Sequence, residues 1–240
     1  MSIVALVLVG GMGTRLRSVV ADRPKALAEI LGRPFLAWQL DFLARQGVER
    51  AVLCTHYQAG MIEAVFPAGR LPNGLVVSHS REPEPQGTGG ALRLGLDSVG
   101  AEVAEVLAVN GDTFCRFDLA ALWSEHHHAR ATATLLLTRV EDVSRYGAVE
   151  AGDDGLVTAF REKAASVPGP GWINAGLCVV SSAALGAVPA DRPISMEREV
   201  FPAWIGKGLH AFPGGSHFLD IGTPESFAEA ERYLKSVGEG

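Results

Sequence analysis

Cysteine is scarce. Cys54, Cys115 and Cys178 are the three in a chain of 240 residues, far apart and without a Cys-x-x-Cys pair. That argues against a zinc site and a disulfide framework, and it suits a reducing cytoplasmic setting. Positive charge is in deficit: 21 Lys and Arg stand against 27 Asp and Glu, a formal net charge of −6. A non-specific nucleic-acid binder is thereby disfavoured. No apolar run approaches the ~20 residues of a membrane-spanning helix. No basic leader precedes the first apolar run, Ile3–Val9, which stops at Gly10-Gly11 and reads as a strand, not a signal peptide. Internal repeats, low-complexity tracts and a hexapeptide series are missing too, so no fused β-helix is expected.

What is present suits a packed α/β protein. Hydrophobic residues make up 48% of the chain, enough for a full core. The length fits one large α/β domain or two small ones. Strand patterns at Ile3–Val9, Ala51–Thr55, Leu75–Ser78 and Val106–Val109 alternate with helix patterns at Pro34–Gln46, Ala59–Phe66, Thr88–Val99 and Leu119–His128, the last capped by Asp118. Such alternation predicts a parallel sheet with helices on both faces. The second half is richer in strands, at Thr132–Arg139, Ala148–Glu150, Val157–Phe160 and Leu177–Val180, with Asp153-Asp154-Gly155 as a hairpin turn. Helices are expected at Met196–Ile205 and Pro224–Val237.

The most informative stretch joins the first strand to Gly10-Gly11-Met12-Gly13-Thr14-Arg15-Leu16, with Pro24-Lys25 soon after. Glycines let backbone N–H groups approach an oxyanion, and two cations then neutralise it. A Rossmann fingerprint would need glycine where Leu16 stands, and no Gly-Lys-Ser/Thr string of a Walker loop occurs. A plain strand–turn–helix with surface cations is the alternative.

Further groups carry chemistry. Asn110-Gly111-Asp112 follows a buried strand, where ligands gather in open α/β sheets, although Asn-Gly is also a plain turn signal. Asp112 offers the carboxylate that Mg²⁺ prefers. Asp220, between a strand end and the Thr223-Pro224 helix start, offers a second, or else only bonds to that helix start. Gln86-Gly87-Thr88-Gly89-Gly90-Ala91 is a second glycine-rich turn whose backbone can approach a ligand, or a loop that only caps a helix. Glu162-Lys163 reads by itself as a solvated charge pair. His126-His127-His128 lacks the spacing of metal ligands and reads as a solvated helix end. Glu197 and Glu199 read as helix surface, and Trp38, Trp123 and Trp204 as core or groove residues.

The string Gly11-Met12-Gly13-Thr14-Arg15-Leu16 followed by Pro24-Lys25-Ala26-Leu27 resembles the signature of the sugar-1-phosphate nucleotidylyltransferases. The likeness runs from Ile3 to about Tyr233. It implies a Rossmann-like three-layer α/β/α nucleotidyltransferase (GT-A-like) fold with a mixed, mostly parallel central sheet. One such domain would fill residues 1–240, with 1–130 mainly nucleotide-binding and 131–240 mainly sugar-phosphate-binding. The implied reaction joins a nucleoside triphosphate to a sugar 1-phosphate with release of pyrophosphate. Arg15 and Lys25 would be catalytic. Leu8, Gly10, Gly11, Gly13, Thr14, Gln86, Gly87, Thr88, Asn110 and Gly111 would hold the nucleotide. Tyr146, Gly147, Glu162, Lys163 and Asn174 would hold the sugar phosphate, and Asp112 and Asp220 would bind Mg²⁺. A cytoplasmic monomer or homodimer follows from the same likeness.

The segments Ser18-Val19-Val20, Gly32-Arg33-Pro34-Phe35-Leu36, Arg145-Tyr146-Gly147 and Ser195-Met196-Glu197 look like those of the D-glycero-α-D-manno-heptose-1-phosphate guanylyltransferases. That implies GTP as donor and a product used for capsule, S-layer or lipopolysaccharide precursors. The alternatives are a uridylyl- or other nucleotidylyltransferase acting on a hexose 1-phosphate, and a catalytically silent protein that senses a nucleotide sugar.

Overall fold

The structure, a computed structural model, describes residues 2–13, 16, 19–20, 22–161 and 168–238. From the amino terminus come β1 (Ile3–Leu8), a 3-10 turn at Lys25–Leu27, the short ribbon β2 (Glu29–Ile30) and β3 (Arg33–Pro34), α1 (Phe35–Arg45) and β4 (Val48–Thr55). Next are α2 (Ala59–Val65), β5 (Gly69–Arg70), β6 (Val76–Arg81), α3 (Gly87–Asp97), β7 (Glu105–Asn110), β8 (Thr113–Arg116), α4 (Leu119–His128) and β9 (Ala133–Val140). The chain continues through the hairpin β10 (Ala148–Ala151) and β11 (Val157–Arg161), then β12 (Gly171–Ser181) and α5 (Ser182–Gly186). A π-helical turn at Met196–Val200 runs into α6 (Phe201–Trp204), followed by β13 (Leu209–Phe212), β14 (Ser216–Asp220) and α7 (Pro224–Gly238).

Eight strands form one sheet in the order β13-β9-β12-β7-β1-β4-β6-β5. Neighbours β7, β1, β4 and β6 are parallel, whereas β12 runs antiparallel to both β7 and β9. The sheet is therefore mixed and mostly parallel, as the family resemblance implied. Alternation along β1 separates two cores. Ala5, Val7 and Val9 face a layer holding Leu36, Leu40 and Leu43 of α1, Leu119 and Leu122 of α4, and Leu234 of α7. Val4 and Leu6 face the other layer, with Ala91 and Leu92 of α3, Leu185 of α5 and Met196. Each fully buried leucine contributes about 2 kcal/mol, so three on one stripe of α1 fix that helix against the sheet. Asp118 caps α4 as expected, its carboxylate accepting from Ala121 N–H at 3.0 Å. Among the described residues no helix is long and apolar enough to cross a membrane.

The strand ending at Asp220 is legible in the sequence, but its partner β8 and the ribbon they form are not, and Met196–Ile205 is not the single helix expected there. The sequence reading also misjudged His126, which is buried and bonds Thr134 Oγ1 through Nδ1 at 2.9 Å. Only His127 and His128 behave as an outer helix end; His127 Nε2 meets Glu105 at 2.7 Å. Burial holds the His126 pKa below its usual value; the Glu105 carboxylate opposes this, and His127 and His210 add to it. The folded chain thus leaves His126 neutral where the unfolded chain takes up a proton. Stability should fall as pH drops below about 6.5, with a slope approaching about 1.4 kcal/mol per pH unit. Urea unfolding at a series of pH values checks this: His126→Gln should flatten the slope, and an unchanged slope would assign the effect elsewhere.

Candidate active site

Three strand ends are tied into one rim. Val9 N–H donates to Cys54 O at 2.9 Å, Gly111 N–H to Leu8 O at 2.9 Å, and Tyr57 N–H to Gly10 O at 3.3 Å. The loops leaving β1, β4 and β7 therefore open on one cleft of about 430 Å³. Leu8, Gly10, Gly11, Gly13, Lys25, Gly87, Thr88, Asn110, Gly111 and Asp112, all singled out from the sequence, line it. At Gly11 an added Cβ would meet nothing within 4 Å, so this stretch of backbone faces open space. Gly13 has φ +56°, the left-handed region, where the chain turns toward Leu16.

Lys25 stands at the centre of the charged groups. Its Nζ lies 2.8 Å from Asp112 Oδ2 and 3.4 Å from Asp220 Oδ1. The Lys25 side chain is 10% exposed, Asp220 14% and Asp112 43%. Residues separated by most of the chain thus meet because β14 pairs with β8, setting Asp220 beside Thr113, with Ile221 N–H donating to Asp112 O at 3.1 Å. Asp220 Oδ1 also accepts Gly222 N–H at 2.7 Å, which fixes its carboxylate next to a lining residue, although Asp220 itself does not line the cleft.

The second glycine turn works differently from its sequence reading. A Cβ at Gly87 would lie 2.4 Å from Ile194 O, so this glycine is required by a neighbouring chain segment as much as by any ligand. Gly89 N–H donates to Ile194 O at 2.9 Å and Ile194 N–H to Gln86 O at 2.8 Å. The Thr88 hydroxyl accepts from Met196 N–H at 2.8 Å and donates to Glu197 at 3.1 Å. Glu197, read from the sequence as helix surface, is instead half-buried against this turn. Gln86 itself is not among the lining residues; its N–H donates to Glu82 Oε2 at 2.8 Å.

Tyr146, Gly147 and Asn174 do not line this cleft. Tyr146 packs edge-on against Phe218 of β14 at 5.2 Å, on the strand that carries Asp220. Gly147 N–H is bound to Val143 O, and Asn174 Oδ1 accepts Gly176 N–H at 3.1 Å. Gly176 in turn packs closely on Thr113 and Asn110, the residues that flank Gly111-Asp112. Thr14, Arg15, Glu162 and Lys163 lie outside the described residues.

Two titratable lining residues escaped the sequence reading, Glu82 and His56. Glu82 is buried, and burial raises its pKa, against the Gln86 N–H bond and the His56 charge, which lower it. His56 Nδ1 lies 3.1 Å from Glu82 O. In Arg81-Glu82-Pro83-Glu84-Pro85 the acid looks like part of a solvated loop. Its position at the carboxyl end of β6 is the same signal that marked Asp112.

A glycine-lined cleft at the carboxyl edge of a mostly parallel sheet, with a lysine held between two acids, defines a nucleotide-handling α/β protein. The chain belongs to the nucleotidyl transferase family, whose profile matches residues 4–237. It is 38% identical over 233 residues to the mannose-1-phosphate guanylyltransferase of Mycobacterium tuberculosis, covering 96% of this chain and 64% of that protein. It therefore spans less than two thirds of that relative's length. It is 34% identical to the D-glycero-α-D-manno-heptose 1-phosphate guanylyltransferase of Aneurinibacillus thermoaerophilus, covering 96% of this chain and 98% of the relative. The crystal structure of HddC from Yersinia pseudotuberculosis superposes with TM-score 0.84 at 31% identity, over 97% of this chain and 99% of that one. The same protein complexed with GMP-PN gives a TM-score of 0.83.

Proposed function

We propose that this protein transfers a guanylyl group from GTP to an α-D-manno-configured sugar 1-phosphate, releasing pyrophosphate. The observation that carries this reading is Lys25 between Asp112 and Asp220 at the rim of the glycine-lined cleft. Relatives of two acceptor specificities, mannose and heptose, share the manno configuration and the guanylyl donor in their names. The heptose is placed first, because Arg145-Tyr146-Gly147 and Ser195-Met196-Glu197 resemble that subgroup.

An oxygen of the acceptor phosphate attacks the α-phosphorus in line. The bond from the α-phosphorus to the bridging oxygen breaks, and its electron pair leaves with pyrophosphate. The nucleophile is already anionic, so the protein's task is to bring polyanions together and neutralise them. Gly10, Gly11 and Gly13 admit the triphosphate. Lys25 draws the reacting phosphates together, Arg15 balances the departing pyrophosphate, and Lys163 and Glu162 engage the acceptor. Tyr146, Gly147 and Asn174 would frame the sugar on the β14 side.

Asp112 and Asp220 suit Mg²⁺, which takes few protein carboxylates and keeps several waters. Among the described residues no cluster of three or more His, Cys, Asp or Glu is grouped to hold a metal, so the pair fits a metal shared with the nucleotide better than a dedicated protein cage. When bound, the ion supplies charge neutralisation at the phosphates. Nucleoside triphosphate supply puts the work in the cytoplasm.

Glu82 is the group we assign to the base. Guanine presents N1–H and the exocyclic amine as adjacent donors, and a buried carboxylate accepts both, whereas adenine and uracil lack that pair. Glu82→Gln should reduce kcat/KM for GTP by about 10- to 100-fold and leave poor substrates such as UTP little changed. Equal losses with every triphosphate would remove Glu82 from base selection. The reading as a whole is tested by four triphosphates against mannose, glucose and D-glycero-α-D-manno-heptose 1-phosphates, scored by pyrophosphate release. GTP with a manno-configured acceptor should lead. A UTP or glucose 1-phosphate preference would favour the hexose uridylyl alternative, and silence with all pairs a sensor protein.

A further inference from the structure

Gln39 occupies a core position of α1, 5% exposed, on a helix whose other inward residues are apolar. Its Nε2 donates to Asn110 O at 2.8 Å and to Thr113 O at 2.7 Å. One amide thus spends both of its protons on the two ends of the turn that carries Asp112. The orientation of the amide is fixed by this, since the flipped form would set Oε1 against two carbonyl oxygens. Oε1 itself is buried with no hydrogen-bond partner. An amide kept in a core with one end unsatisfied is retained for what the other end does.

The ends of the turn are also held by strand pairing, Asn110 beside Leu8 of β1 and Thr113 beside Asp220 of β14, and the Thr113 hydroxyl donates to Asn110 O at 3.4 Å. Gly111 N–H is tied to Leu8 O, and Asp112 O accepts Ile221 N–H from the Asp220 segment. The Asp112 side chain is partly open to solvent and, among the described residues, is held by Lys25. Where its carboxylate stands relative to Asp220 depends on the β8–β14 pairing and on the backbone of residues 110–113. We propose that Gln39 is a positioning residue: from α1 it clamps that turn and sets the separation of the two carboxylates around Lys25. The inference rests on the reading of Asp112 and Asp220 as the acids that bind the metal.

Gln39→Met keeps the length and burial of the side chain and deletes both donors. The folded variant, judged by circular dichroism and thermal melting, should show kcat lowered by about 10- to 100-fold. Its Mn²⁺ affinity, measured by electron spin resonance on enzyme saturated with a non-reacting GTP analogue, should weaken by about 10- to 100-fold. Affinity for the same analogue without metal should stay unchanged, a split that a merely structural role would not produce. Gln39→Glu supplies a second reading. Its carboxylate repels both carbonyls at high pH, and on protonation it regains one donor, so its activity relative to the parent should climb as pH falls. A folded Gln39→Met with parental kcat and Mn²⁺ affinity overturns the proposal, and so does failure of both variants to fold. Asp112→Asn serves as control. If it leaves Mn²⁺ binding intact, the metal reading falls and takes the Gln39 role with it; if it alone is impaired, only the Gln39 role falls.

Discussion

Lys25→Met should lower kcat by about two to three orders of magnitude while the protein remains folded. Among the described residues Lys25 supplies the one ammonium or guanidinium lining the cleft. Two acids hold it there, at 2.8 and 3.4 Å, so its charge is poised before any phosphate arrives. Such preorganisation costs nothing at the moment of reaction, which is why its loss falls on turnover rather than on binding. Lys25→Arg should rescue poorly, since a planar fork cannot replace a compact point charge between two carboxylates. Removing the cation leaves Asp220, largely buried, without its partner, so melting must be measured alongside the kinetics. Parental turnover in a folded Lys25→Met enzyme would take this residue out of the chemistry.

Asp112→Asn and Asp220→Asn should each lower kcat by about 100-fold or more and move half-maximal activation to higher Mg²⁺. Asparagine keeps the shape and the acceptor oxygen that Gly222 N–H uses at Asp220, so the loss reports charge rather than folding. On the proposed reading both acids serve one centre, and the double variant should be little worse than either single one. A magnesium titration with pyrophosphate readout decides the matter. Superimposable curves for parent and variants would contradict the ligand role, and fully additive losses would show that the acids act apart.

The architecture was largely legible because its signals are local. An apolar run ending in glycine, leucines three and four apart in α1, and Asp118 ahead of α4 each specify their own element. The π-helical turn at Met196–Val200 follows a segment bonded to the Gln86–Gly89 turn, Ile194 N–H to Gln86 O and Met196 N–H to the Thr88 hydroxyl, contacts that no local pattern encodes. Asp112 could be found by rule, standing where a buried strand ends. Asp220 could be offered only as one of two readings, because its approach to Lys25 depends on four-residue β8 pairing with β14 across a hundred positions of chain. Glu82 hid among prolines and charges. Gln39 resembled an ordinary polar position on an amphipathic helix, and its bonds to Asn110 and Thr113 exist only in three dimensions. His126 was hidden by its neighbours: three histidines in a row look alike in a string, yet helix geometry turns one of them inward.

The reversed strand β12 bears on how this fold can be recombined. It arises late in the chain and lies between β7 and β9, with Leu177 opposite Val109 and Ser181 opposite Glu105. A hybrid that grafts the later portion of a relative onto this amino-terminal portion must therefore rebuild a seam through the middle of the sheet. A slip of one residue there would exchange Leu177 and Val179 of one core with Cys178 and Val180 of the other, since β12 is buried on both faces. The later strands are thus not a detachable cassette in this architecture: exchanging them as a block disturbs the central seam, whereas point replacements in the surrounding loops leave it alone.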